Sequence, residues 1–229
     1  ATVAEITGVF GNALDHEGDL WRLVRDGRSD VVVYYSGHGM LGLKDGRSYL
    51  LPSDADPLKA SINGYPLDTL YANLGKLAAR SALVLIDACF SGASHAGTLV
   101  PAGSFAVTAR QEVTAPAGLT ILTAAGPDQI ASWDTEAKHG LFTLHLLKAL
   151  EGAADGSVYG DENGEVTAAE VKRYLDDEMT YQARRRFGRN QNATVEGDGD
   201  LVLATYTPGE VVPPVAEPLF TVEEMDLDM

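Results

Sequence analysis

The sequence DVVVYYSGHG, at residues 30–39, decides the fold. It is a run of β-branched and aromatic residues, at 31–35, that stops abruptly at Ser-Gly-His-Gly. Such an unbroken apolar run is typical of a strand buried on both faces of a parallel sheet. The sequence ALVLIDACFSG, at 82–92, has the same plan: its apolar run is followed by Cys89, the single cysteine, much as the first run is followed by His38.

Strands and helices alternate along the chain. The apolar patterns predict strands at 31–35, 83–88, 118–125 and 200–204, helices at 13–26, 67–77, 140–150 and 167–185, and a tight turn at 45–46. The last helix opens with Thr167 and Glu170 in the spacing of a capping box. The alternation predicts an α/β domain with a mainly parallel sheet flanked by helices. Because parallel strands end at one edge of a sheet, we expect His38 and Cys89 to form one site.

Composition excludes some classes of function. The formal net charge of −16 argues against a nucleic-acid partner, because phosphate contacts need clustered Lys and Arg. The sequence has no apolar run of about 18 residues and no signal peptide, so we expect no membrane partner. One cysteine cannot form an internal disulfide, which allows a reducing compartment, and we expect a cytoplasmic protein. The oligomeric state is not indicated.

The end of the chain differs from the rest. Residues 207–229 contain four prolines, six acidic residues and no basic ones. This composition predicts a disordered linker or partner-binding tail. We therefore expect one domain at 1–206, followed by an acidic tail at 207–229.

A cysteine and a histidine at neighbouring strand ends suit nucleophilic catalysis. Only the thiolate attacks a carbonyl, and a free thiol has a pKa of about 8.5. A nearby histidine takes the thiol proton and later gives it to the leaving amine. The N–H groups of Gly39 and Cys89 are candidates for an oxyanion hole. Considered alone, Cys89 is more simply explained as a small buried apolar residue, and His38 as an ordinary surface or core histidine. The placement of both residues at neighbouring strand ends favours catalysis.

The segments YYSGHG and DACFSG resemble the caspase-like cysteine peptidases of clan CD, and within them the metacaspase and bacterial orthocaspase branch. The spacing of 89 − 38 = 51 residues is similar to the roughly 50 expected for caspases. HGLFTLHLLKAL, at 139–150, and QNATVEGDGDLVL, at 191–203, are similar to segments near the end of bacterial caspase-like domains. The resemblance spans 8–205 and implies a caspase-like fold with His38 and Cys89 as the catalytic dyad. It also implies that the first βαβ stretch of that fold is missing from this sequence.

Three further residues are candidates for substrate binding. Asp87 lies two residues before Cys89, hence on the same face of the strand, and a carboxylate there suits an Arg or Lys of the substrate. The resemblance to metacaspases implies cleavage after Arg or Lys, with this aspartate in the pocket; the alternative is that Asp87 only caps a turn. The resemblance also implies that Trp133 walls the pocket and that Asp134 assists it with charge. An ordinary surface loop explains these two residues equally well.

Two weaker patterns concern processing and metals. Caspase-like enzymes often cut themselves in the linker that here holds Arg110, so the resemblance makes Arg110 a candidate autocleavage position. The sequence YGDENGEVTAAE, at 159–170, partly fits a calcium-binding EF-hand loop, but Tyr159 stands where a carboxylate is needed. A turn followed by a helix cap explains it better. We expect no required cofactor; the resemblance leaves calcium dependence open and locates no site.

These patterns predict a cysteine endopeptidase that hydrolyses peptide bonds after Arg or Lys. Its partners would be proteins or peptides with basic residues. One alternative is a catalytically impaired caspase-like module that serves as a scaffold. Another is a thiol hydrolase acting on non-peptide acyl groups, which nothing in the sequence requires.

Overall fold

The computed structural model describes residues 1–42, 44–90, 114–126, 129–134 and 138–207, and the backbone of 93–94 and 97–98. Arg110 and the predicted tail beyond Thr207 lie outside the described residues. The strands are β1 (Asp30–Ser36), β2 (His38–Leu41), β3 (Ser48–Leu51), β4 (Tyr65–Pro66), β5 (Ser81–Asp87), β6 (Ala93–Ser94), β7 (Gly97–Thr98), β8 (Leu119–Thr123), β9 (Trp133–Asp134), β10 (His139–Gly140), β11 (Glu165–Thr167), β12 (Thr194–Glu196) and β13 (Val202–Thr205). The helices are α1 (Val3–Phe10), α2 (Asp19–Leu23), α3 (Ala60–Asn63), α4 (Leu67–Leu74), α5 (Leu141–Lys148), α6 (Ala168–Tyr174) and α7 (Thr180–Phe187).

The central sheet has four strands in the order β1-β5-β8-β12. β1, β5 and β8 are parallel, and β12 is antiparallel to β8. No strand lies in residues 1–29, so β1 is an edge strand of the sheet as far as the described residues go. The mainly parallel sheet confirms the α/β class that the alternating pattern predicts.

Helices cover both faces of this sheet. Val33 and Val84 point to the face covered by α1 and α4. Leu85 and Leu122 point to the opposite face, which is covered by α5, α6 and α7. Because β5 lies between β1 and β8 and is covered on both faces, every residue from 82 to 87 is buried. The unbroken apolar run of this strand follows from that position.

A small second sheet follows β1 directly. β2 and β3 form an antiparallel hairpin, and β4 pairs with β3. Gly46 has a φ of +67°, in the left-handed region that glycine adopts readily, which explains the predicted turn at 45–46. Arg47 then forms a two-pronged ion pair with Asp68 of α4, at 2.5 and 2.9 Å, which ties the turn to the domain. The hairpin therefore begins at His38 and is anchored at its far end.

The predicted helices differ from the structure chiefly at the N-terminus. The helix predicted over 13–26 is wrong in its first half, because the Asn12 side chain accepts the N–H groups of Leu14 and Asp15 and holds a turn there. Leu14 is 99% exposed, and only α2 is helical. The predicted helix at 167–185 is present as α6 and α7, joined by one π-helical stretch, and the capping box of Thr167 and Glu170 is confirmed.

Candidate active site

The register of the central sheet brings His38 and Cys89 to one edge. Ser36 is paired with Asp87, so each candidate residue lies two positions beyond this last pair. The Gly37 N–H donates to the Asp87 carbonyl at 3.2 Å and continues the match. The segments that contain His38 and Cys89 therefore leave the two parallel strands side by side.

Gly39 packs directly against the segment that holds Cys89. A Cβ atom at this position would lie 2.7 Å from the Cys89 carbonyl oxygen and 2.7 Å from the Phe90 ring. Such distances leave no room for a side chain, which is why glycine follows His38. The Cys89 N–H has no acceptor within the part of the chain that is described. The two donors predicted for the oxyanion hole therefore belong to adjoining backbone segments.

The Cys89 thiol is partly buried against Ala131. The Ala131 N–H donates to Sγ at 2.8 Å, and Sγ–H donates to the Ala131 carbonyl at 3.3 Å. Burial raises the pKa of the Cys89 thiol, and the negative charge of Asp87 raises it further. The Ala131 N–H and the distant charge of Arg189 lower the same pKa without offsetting the burial. The isolated thiol is therefore protonated at neutral pH and needs a base.

A buried glutamine fixes the segment that holds the thiol. Gln191 is fully buried; its Oε1 accepts the Ser132 N–H at 2.8 Å, and its Nε2 donates to the Ala124 carbonyl at 3.0 Å. Ala131, next to Ser132, is placed by these bonds. Sequence reasoning did not select Ala131, because it acts through its backbone, or Gln191, because nothing in its neighbourhood distinguishes it from a surface amide.

The Asp87 side chain is buried, 6% exposed, beneath the first turn of α5. Its Oδ2 accepts the Thr143 N–H at 3.2 Å and the Thr143 hydroxyl at 2.5 Å, and so caps the helix from a neighbouring strand. Gly140 lies directly against this carboxylate, where a larger residue would collide with it. The Tyr34 hydroxyl, 2.8 Å from the Thr143 hydroxyl, extends the network.

The other carboxylate oxygen of Asp87, Oδ1, is not bound by Thr143. Oδ1 has no hydrogen-bond partner, and Asp87 forms no ion pair, within the described residues. Burial raises the pKa of Asp87 from its ordinary 3.8, while Thr143 and the charge of His139 lower it by less. The alternative expectation is that Asp87 caps a turn; one oxygen instead caps the first turn of α5, and the other has no hydrogen-bond partner among the described residues.

Asp134, unlike Asp87, has a cationic partner. It is 2% exposed, forms an ion pair with Arg186 of α7, and accepts a hydrogen bond from Gln182 at 3.4 Å. Trp133, partly buried, precedes it in the two-residue strand β9, which pairs with β10. The loop is therefore anchored to α7 through Asp134. The predicted roles of Trp133 and Asp134 in substrate binding stay predictions.

Three acidic side chains lie together at the far end of the domain. Oxygen atoms of Asp155, Asp161 and Glu170 lie within 4.8 Å of one another. Asp155 accepts the Gly164 N–H at 2.8 Å and the Tyr206 hydroxyl at 3.0 Å, and Glu170 closes the capping box of α6. These bonds give two of the three acids a structural role, and calcium dependence stays a prediction.

Comparisons with known proteins identify the family and the fold. The family model of the caspase domain matches residues 16–195, more than half of the chain, and the chain belongs to the caspase-domain family of cysteine peptidases. No curated protein matches the chain. A crystal structure of a protein from Geobacter sulfurreducens is similar at 17% identity and a TM-score of 0.53, over 91% of this chain and 78% of that one.

A second similar structure is caspase-1 from Spodoptera frugiperda, at 15% identity and a TM-score of 0.45, over 80% of this chain and 65% of that one. The family match, together with the sheet order, establishes a caspase-like fold. Among the described residues, no helix is long and apolar enough to cross a membrane.

Proposed function

We propose that this chain is a cysteine endopeptidase of the metacaspase or orthocaspase type that cleaves peptide bonds after Arg or Lys. The observation that carries the proposal is the contact of the Gly39 and Cys89 backbones beyond the Ser36–Asp87 pair. Because of this contact, His38 and Cys89 lie on segments that meet at one edge of the sheet. Membership of the caspase-domain family supports the same reaction class.

In the proposed mechanism, His38 takes the proton of the Cys89 thiol as the sulfur attacks the substrate carbonyl. The carbonyl oxygen gains negative charge, and the N–H groups of Gly39 and Cys89 donate to it. The C–N bond then breaks, and His38 passes its proton to the leaving amine. Water, deprotonated by His38, releases the acyl group and restores the thiol. The raised pKa of the thiol makes the base necessary in the first step.

The proposed selector of basic residues is Asp87. A buried carboxylate without a cation carries a desolvation cost that an incoming guanidinium or ammonium group would offset. Thr143 holds Oδ2, which would leave Oδ1 to accept from the substrate.

The direct test uses three fluorogenic peptides that differ only in the residue before the scissile bond: Arg, Lys or Asp. Wild-type protein is compared with Cys89→Ala and His38→Ala, each assayed with calcium and with a chelator. His16→Ala is the matched control, because His16 packs on Trp21, 4.5 Å between ring centroids, outside the candidate site. We expect cleavage after Arg and Lys that both site variants lose by at least about 1000-fold.

The outcomes separate the alternatives. Cleavage only after Asp would keep the dyad and contradict the selector. No cleavage of any peptide by wild-type protein under either condition would contradict the peptidase proposal and favour a scaffold module. Loss of activity in His16→Ala as well would show that the histidine variants report on folding and not on catalysis.

Self-cleavage at Arg110 is a further part of the proposal. A peptidase with this preference would cut its own chain after Arg110 if that bond reaches the site. Intact-mass analysis of wild-type protein is expected to give fragments ending at Arg110, and Cys89→Ala is expected to stay whole. Fragments that end elsewhere, or fragments that persist in Cys89→Ala, would contradict it.

A further inference from the structure

The side chain of Tyr35 reaches the backbone of His38. Its hydroxyl oxygen lies 2.7 Å from the His38 carbonyl oxygen and 3.1 Å from the Leu51 carbonyl oxygen, and its single hydrogen is shared between these two acceptors. Tyr35 lies on β1, whereas His38 and Leu51 lie on β2 and β3. One side chain of the central sheet therefore holds both strands of the hairpin that carries the candidate base.

The two carbonyl groups belong to the last pair of a ladder. His38 is the first residue of β2 and Leu51 the last of β3, and the two are register partners. End pairs of a ladder lack a neighbour on one side and open most easily. The far end of the same hairpin is already fixed by Arg47 and Asp68. The Tyr35 hydroxyl stabilises the opposite end of the hairpin, at the His38–Leu51 pair.

Gly37 makes this contact possible. A Cβ atom at Gly37 would lie 2.9 Å from the Tyr35 hydroxyl oxygen, so the ring packs directly over the turn between β1 and β2. Burial raises the pKa of Tyr35 to about 12, and the hydroxyl stays a donor throughout the neutral range. The hydrogen bond from Tyr35 to the His38 carbonyl therefore does not change with pH in the neutral range.

We propose that Tyr35 is a positioning residue for His38: its hydroxyl fixes the His38 carbonyl and so aims the imidazole at the Cys89 thiol. This inference rests on the proposed function, since it needs His38 to act on Cys89. A base that swings by an ångström loses much of its rate, so the effect should fall on the chemical step and not on substrate binding.

The test compares Tyr35→Phe with Tyr65→Phe. Tyr65 is a matched control, because it also donates a hydroxyl to a backbone carbonyl, that of Gly11 at 2.9 Å, and β4 pairs with the same strand β3. Burial raises the pKa of Tyr65 to about 12 as well. Each variant removes one hydroxyl and keeps the ring, and we expect similar losses of about 2–4 °C in Tm.

Two readouts are taken well below the Tm of every variant. The first is the rate of alkylation of Cys89 by iodoacetamide against pH, which reports on one thiol because the chain has one cysteine. The second is kcat and KM on the Arg peptide. We expect Tyr35→Phe to shift the alkylation profile toward that of His38→Ala and to lower kcat about tenfold with KM nearly unchanged, while Tyr65→Phe follows wild-type protein.

The outcomes distinguish the two proposals. A Tyr35→Phe profile that coincides with those of wild type and Tyr65→Phe, while His38→Ala differs, overturns the role of Tyr35 and leaves the dyad. Equal alkylation profiles for wild type and His38→Ala overturn both, because His38 then does not act on the thiol. A kcat loss of the same size in Tyr65→Phe also overturns the role of Tyr35, since a general loss of rigidity explains it.

Discussion

Two buried aspartates lie on segments near the candidate nucleophile, Asp87 two residues before Cys89 and Asp134 three residues after Ala131, and their surroundings differ. Asp134 has Arg186 as its ion-pair partner and Gln182 as a donor. Asp87 has only Thr143, on one oxygen, and no cation among the described residues. Both are nearly inaccessible, at 2% and 6% exposure. A buried charge that has its own cationic partner is stabilised within the fold, whereas a buried charge that has no cation beside it is suited to receive one from a substrate.

Among the changes that probe these two aspartates, Asp87→Asn has the largest expected effect, and that effect is on catalysis. The asparagine oxygen still accepts both Thr143 bonds, so the helix cap remains while the charge is lost. Under the proposed function we expect kcat/KM on the Arg peptide to fall about 100-fold or more. Steady-state kinetics on the Arg peptide measures the change.

The stability of the same variant provides a second check. Because the folded-state pKa of Asp87 is raised, the wild-type protein loses stability as pH rises from 3.8 through that higher value. Asp87→Asn has no ionisable group at this position and removes that penalty. Its Tm at pH 7 is therefore expected to equal or exceed that of wild type. A clear drop in Tm would mean that the Asp87 charge serves the fold.

The second effect, on stability, is expected from Asp134→Asn. This change removes the buried negative charge that pairs with Arg186, and we expect a loss of about 2–4 kcal/mol in the free energy of unfolding, moderated because Arg186 is 37% exposed. Urea denaturation measures the loss. The control is Asp176→Asn, which breaks an exposed pair with Lys172 and should cost below about 0.5 kcal/mol. Equal losses in both variants would contradict the distinction.

The smallest effect concerns His145, which reaches Asp134 through Gln182. Its Nε2 lies 2.9 Å from the Gln182 amide oxygen, and its Nδ1 is buried with no hydrogen-bond partner among the described residues. Burial lowers the pKa of His145 below its ordinary 6.5, and the charge of Lys148 lowers it further, although Gln182, Glu178 and Asp134 raise it. The unfolded chain therefore binds the proton first as pH falls, and stability is lost below about pH 6.5.

We expect this loss to be at most about 1 kcal/mol between pH 7 and pH 5.5. His145→Gln should flatten that part of the stability curve, whereas His16→Gln should leave it in place, because the buried ring is still present. Urea unfolding at several pH values measures the slope. An unchanged slope in His145→Gln would assign the pH dependence to another group.

The sequence pattern predicted the parts of the fold that depend on local regularity. The apolar runs that became β1, β5 and β8 and the periodic segments that became α4 and α5 were predictable, and parallel strands alone bring His38 and Cys89 to one edge of the sheet. β12 was not predicted, because a three-residue antiparallel strand has too little pattern to stand out. The turn at Asn12 was missed because its side-chain bonds compete with helix formation at a helical spacing.

The two aspartates could not be told apart from the sequence. Asp87 and its partner Thr143 are 56 residues apart, and Asp134 and Arg186 are 52 residues apart. Only the packing of α5 against β5, and of α7 against the loop at 131–134, decides which carboxylate receives a cation. The pattern identified both residues as chemically interesting, and the fold separates their surroundings.

The central claim is tested most directly with two peptides that differ only in Arg or its neutral isostere citrulline before the scissile bond. We predict that wild-type protein and Asp134→Asn prefer the Arg peptide in kcat/KM by about 100-fold or more, and that Asp87→Asn cleaves the two at nearly equal rates. A wild-type ratio near one, or a strong Arg preference that survives in Asp87→Asn, would contradict the account.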